Sequence, residues 1–77
     1  GGDQDAARDA VSSGQARPLG EVLPIVRASA PGSVLDVNLS KASGRWVYKI
    51  TVLSPDGRYR DVTVDAARKT IIDMRQR

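Results

Sequence analysis

The chain has 77 residues, 40% hydrophobic and 27% charged, with a net charge of +3 and neither Cys nor His. That length holds one domain, taken here as 1–77, near the lower limit at which a hydrophobic core alone sustains folding. The composition excludes a low-complexity or disordered chain, and the missing Cys and His exclude thiol nucleophiles, imidazole bases, haem ligation and Cys/His metal sites.

No apolar run approaches the roughly 20 residues needed to span a bilayer. The start at Gly1-Gly2 without Met reads as a processed or recombinant product, with residues 1–4 a tag remnant or disordered and an upstream signal segment removed. Charge is uneven: residues 1–40 carry three Arg against five acids, while residues 41–77 carry nine Lys or Arg against four Asp. An anionic partner is one reading of that asymmetry, and it depends on where the charges point.

Asp5 to Ser13 reads as a short amphipathic helix, with Ala7, Ala10 and Val11 on one face and Gly14 just past its end. Pro18 to Ala30 is a second helix: Leu19, Val22, Leu23, Val26 and Ala30 share a face, and Pro31-Gly32 stops it. Pro24 cannot donate to the carbonyl of Gly20, so a kink or a late helix start is expected there.

From Val34 the apolar period becomes two. Lys41 to Gly44 is read as a four-residue turn that sets Ser40 opposite Arg45, so Leu39 meets Trp46, Val37 meets Tyr48 and Leu35 meets Ile50. Ser54-Pro55-Asp56-Gly57 is a hairpin turn, and pairing Ser54 with Arg58 sets Ile50 opposite Val62 and Tyr48 opposite Val64. A third turn, with Ala66 opposite Thr70, sets Val64 against Ile72 and Val62 against Met74. The predicted fold is α+β: two N-terminal helices packed on one face of a four-stranded antiparallel meander sheet.

This register also predicts the solvent face, with Asp36 beside Lys49 and Asp61 beside Arg75. Trp46 and Tyr48 belong to the buried face and only Tyr59 points outward, across from Leu53, which argues against a base-stacking nucleic-acid platform. Asp56 is explained by its turn, and Asp61, Asp65 and Asp73 form no cluster that would hold a metal or perform acid/base chemistry. The outward residues Arg45, Val47, Lys49, Thr51, Leu53, Tyr59 and Ile71 are the candidate partner-binding surface, since an antiparallel sheet with one open face is a common docking surface. The edge strands, Val34 to Ser40 and Thr70 to Arg75, offer unpaired backbone to an extended peptide.

The run Arg45-Trp-Val-Tyr-Lys-Ile-Thr-Val-Leu-Ser-Pro-Asp-Gly57, then Val62-Thr-Val-Asp65-Ala66 and Ile71-Ile72, resembles the second half of the PepSY domain. The Ala-rich helix ending at Gly14, Pro18-Leu19, Pro31-Gly32 and Val34-Leu35 are similar to its first half. One departure is the last turn, where the family usually has Thr-Gly and this chain has Arg68-Lys69. A left-handed position would then be held by Lys at a cost of about 1 kcal/mol.

The resemblance implies a small non-catalytic module, found in propeptides of secreted metallopeptidases and as stand-alone secreted, periplasmic or membrane-anchored bacterial proteins. No catalytic, cofactor or metal residues carry over. Trp46, Tyr48, Asp56, Gly57, Val64, Asp65 and Ala66 match the family positions, all explicable as core and turn residues. The expected role is therefore a periplasmic or secreted monomer that binds a protein or peptide partner, such as a peptidase or a sensor protein. The alternative is electrostatic binding of an anionic polymer or membrane surface through Arg45, Arg58, Arg68, Lys69 and Arg77.

Overall fold

A computed structural model describes residues 2–77, with side chains from residue 5 onward; the expectation for residue 1 lies outside the described residues. Two helices, α1 (Gly2–Ser12) and α2 (Leu19–Ser29), precede four strands, β1 (Ser33–Ala42), β2 (Arg45–Leu53), β3 (Tyr59–Asp65) and β4 (Thr70–Gln76). The strands pair antiparallel in the order β1-β2-β3-β4, and the α+β meander of the sequence reading is the fold observed. The helix α1 starts earlier than its apolar spacing implies, within the stretch expected to be loose.

Both helices bury the faces their spacing marks out. Ala10 of α1 and Val22 and Val26 of α2 are buried, followed by Ala30 just past the end of α2. They meet Tyr48, Ile50, Val52, Val62, Val64 and Ala66 from the sheet, with Leu19, Leu23 and Trp46 packed around them. The loop between the helices is stitched into the fold by its backbone: the Ala16 amide donates to Ala10 (3.0 Å) and the Arg17 amide to Ala66 (2.7 Å). The Tyr48 hydroxyl donates to the Arg17 carbonyl at 2.7 Å, so a core phenol ends on a partner rather than a buried void. Burial pushes its pKa up.

The helix α2 runs through Pro24 without the late start that residue implied. Pro24 is exposed, so its ring and the unbonded Gly20 carbonyl sit where water can serve that carbonyl. Beyond α2, a Cβ on Gly32 would stand 2.2 Å from the Leu53 carbonyl oxygen, and the φ of Gly32 is +148°. Only glycine lets the chain pass this close to the end of β2 as it enters β1.

The β2–β3 register is the expected one, with Ile50 opposite Val62 and Tyr48 opposite Val64. The turn before it closes with the Ser54 amide on Arg58 and the Gly57 amide on Ser54. The first hairpin differs from expectation by two residues. Its turn has only Ser43 and Gly44 between paired residues, both with positive φ (53° and 76°). That is the type I′ geometry whose twist matches the flanking strands. Ala42 therefore faces Arg45, Lys41 faces Trp46, Leu39 faces Tyr48 and Val37 faces Ile50. A bulge between Val34 and Asp36 then leaves Leu35 unpaired and 51% exposed, and restores Val34 to the core side opposite Val52.

The last hairpin shows a similar correction. Asp65 pairs with Thr70 and Val64 with Ile71, and a bulge returns Thr63 to Asp73 and Val62 to Met74. Ile71 takes the core position expected of Ile72, and Ile72 is exposed instead. The loop between paired residues, Ala66 to Lys69, is one residue longer than expected, and the bulge absorbs that residue.

Candidate interaction site

The side of the sheet away from the helices is uncovered. Its rows read Asn38, Lys49, Thr63, Asp73, then Asp36, Thr51, Asp61, Arg75, then Ser40, Val47, Asp65, Thr70. Lys49 thus faces Asn38, and the expected Asp36–Lys49 pair is absent because β1 is displaced by two. Asp61 and Arg75 are cross-strand neighbours, but each finds another partner. Arg77 grips the Asp61 carboxylate with two bonds of 2.7 Å, and Arg75 turns to Asp73 at 3.0 Å.

Arg77 also lies 5.7 Å over the Tyr59 ring, and its amide donates to the Tyr59 carbonyl at 2.8 Å. Thr51 adds a hydroxyl bond to Asp61 at 3.2 Å. The Arg77 guanidinium holds the Asp61 carboxyl below the usual carboxylate range and is itself pushed up by it. This end of the face is a preset arrangement of ring, guanidinium and carboxylate beside Leu53, which faces Tyr59 as expected.

Of the proposed surface residues, Arg45, Lys49 and Tyr59 are exposed and Thr51 and Leu53 half-buried, all on the open side. Two placements need correction. Val47 lies on this face but is only 3% exposed, so it offers almost no area to a partner. Ile71 faces the core, for the register reason given above.

Among the basic residues of loops and ends, four of the five have a carboxylate within 4.0 Å: Arg45 with Asp65, Arg58 with Asp56, Lys69 with Glu21 and Arg77 with Asp61. Lys69 does occupy the left-handed position that its turn implied, with φ of 58°. Asp65 organises the same turn. Its side chain is buried and accepts the amides of Ala67 (2.9 Å) and Arg68 (3.0 Å). The Arg68 amide bond first, and then that of Ala67 and the charges of Arg45 and Arg68, hold its pKa down against burial.

One feature escaped the residue pattern: a series of clefts along β1 and the adjoining end of the sheet, two of which meet at Trp46. One of about 570 Å³ lies between α1 and β1, where Val11 faces Val37 and Leu39. A second of about 470 Å³ extends it past Asn38 and Leu39 to Lys41 and Trp46. A third of about 350 Å³ continues from Lys41 and Trp46 to Arg45 and Arg68. Reading Ser43-Gly44 as a two-residue turn is the signal that would have put Lys41 across from Trp46.

Among the described residues, no group of three or more Asp, Glu, His or Cys could hold a metal ion, and no helix is long and apolar enough to cross a membrane. Fold and surface together define a small two-layer domain with a sheet open on one side and no assembled catalytic constellation among the described residues. Residues 18–75, well over half of the chain, match the family model described as peptidase propeptide and YPEB domain, and the chain belongs to this PepSY family. Members of the family are generally non-catalytic propeptide or regulatory modules, typically extracellular or periplasmic. Comparison with functionally characterised proteins and with solved structures finds no match.

Proposed function

We propose that this chain is an exported, non-catalytic PepSY domain that binds a protein partner through the open face of its sheet, as an inhibitor or regulator of a peptidase or as an envelope regulatory module. The observation that carries this reading is the uncovered face itself. Lys49 and Arg45 supply charge there, and Leu53 and Tyr59 supply an apolar contact that Arg77 and Asp61 hold in place. A Tyr ring held at an exposed site by a guanidinium stacked over it is the kind of preorganised anchor on which protein interfaces concentrate their affinity. A family of peptidase-associated modules makes peptidases the first partners to try.

The test is a titration of the labelled domain with metallopeptidases and envelope proteins, followed by amide chemical shifts. Binding is expected to move the amides of Lys49, Thr51, Leu53 and Tyr59, and Tyr59→Ala is expected to weaken it by about tenfold or more. If every partner tried leaves those amides unmoved, the open face is not a docking surface.

A further inference from the structure

The structure points to a second site, on the edge of β1 and the end of the sheet beside it, which shares Arg45 with the open face but lies away from Lys49 and Tyr59. We propose that the β1 edge accepts an extended peptide as an added strand, and that the cleft ringed by Lys41, Arg45 and Arg68 receives the acidic end of that peptide.

The argument begins with charge. Arg17, Arg58, Lys69, Arg75 and Arg77 are each paired with a carboxylate at 3.9 Å or less. Arg45 is likewise paired, with Asp65 at 3.7 Å, while Lys41 and Arg68, like Arg27, Lys49 and Arg60, have no ion pair among the described residues. Lys41, Arg45 and Arg68 line one cleft. The single acid there, Asp65, offsets one of the three positive charges and leaves the cleft cationic. An excess of cations around a concave site is complementary to a carboxylate.

The edge supplies the second part. β1 lies at one side of the sheet, and among the described residues its backbone makes no hydrogen bond outside the β2 ladder. The stretch from Asp36 to Ala42 is regular, because the bulge sits before it at Leu35. Such an edge offers main-chain donors and acceptors to an incoming strand. Beside it the clefts run continuously from Val37 to Lys41, lined by Val11 and Leu39, and receive alternate apolar side chains of that strand.

Trp46 joins the two parts. Its ring lines both the cleft beside Ser40 and the cationic cleft, and its buried indole N–H has no acceptor among the described residues.

Trp46 is the chain's only tryptophan, which makes its fluorescence the readout. The probe is an acetylated peptide of about eight residues with alternating Val and Thr and a pair of Glu at one end, compared with the same peptide ending in Gln. The acidic peptide is expected to change Trp46 emission saturably and to shift the amides of Asn38 to Ala42. The combined Lys41→Glu and Arg68→Glu variant, altered at two exposed side chains, should bind it at least about tenfold more weakly, and Lys49→Glu on the open face should not.

Equal binding of the Gln peptide would remove the role given to the cations. Equal competition by heparin, with β1 amides unmoved by the peptide, would mean a general polyanion site and overturn the proposal. Binding that is lost in Lys49→Glu and kept in the double variant would assign the peptide to the open face, leaving the function proposed above intact and this inference refuted.

Discussion

Asp65 shows how one side chain fixes a turn and a pH response together. Its buried carboxylate is stabilised in the charged form, so its folded pKa lies below the unfolded value. A depressed carboxylate contributes stability above the unfolded pKa, and that contribution is lost as pH falls through the folded one. Thermal denaturation should therefore show a midpoint that drops below about pH 4. Asp65→Asn keeps an acceptor for the amides of Ala67 and Arg68 but removes the charge. Its deficit relative to wild type should be present at neutral pH and shrink in acid, and a deficit that is constant with pH would refute the charge argument. Lys69, four residues on, stands at φ of 58° where glycine is at ease. Lys69→Gly loses an exposed pair with Glu21 worth little, and should still gain about 0.5 kcal/mol, read as a midpoint about 3 °C higher.

At the scale of elements, the apolar spacing made both helices, all four strands and the β2–β3 register legible, because buried Ile50, Val62 and Val64 admit only one phase. The two outer strands were less legible, because their registers depend on turn geometry and bulges. Ser43-Gly44 closes a two-residue turn where a four-residue one fitted the alternation equally well, and the bulges at Leu35 and near Ile72 correct the phase afterwards. Those shifts moved Ile71 inward and placed Lys41 at the cleft, while six of the seven surface residues stood on the face where alternation put them, Val47 among them but buried. The link between α2 and β1 carries a sharper constraint. Gly32→Ala forces a Cβ against the Leu53 carbonyl and should cost about 3 kcal/mol or more in denaturant unfolding. A loss below about 1 kcal/mol would show that the α2–β1 link can move aside.

The whole molecule has few large side chains in its core, with no Phe and with Trp46 only half-buried. Val, Ile and Ala from two helices and the central strands supply most of the buried area, so each central residue matters more than in a larger domain. Ile50→Ala, at 1% exposure on β2, should cost about 3 kcal/mol and leave the domain largely unfolded at moderate denaturant. Retention of a cooperative transition at the wild-type midpoint would mean that the core lies elsewhere.

The Ser43-Gly44 turn has a consequence in time as well as in space. It joins the two longest strands through the shortest loop in the sheet, so the β1–β2 ladder forms at the lowest loop-closure cost that the sheet offers. The hairpin is then the natural nucleus on which β3, β4 and the helices condense. Ser43→Asn, which suits a left-handed turn position better, should accelerate refolding while leaving the unfolding rate almost unchanged. Stopped-flow chevrons followed by Trp46 fluorescence measure both limbs. A change confined to the unfolding limb would place the hairpin late in folding and move the nucleus to the β2–β3 pair.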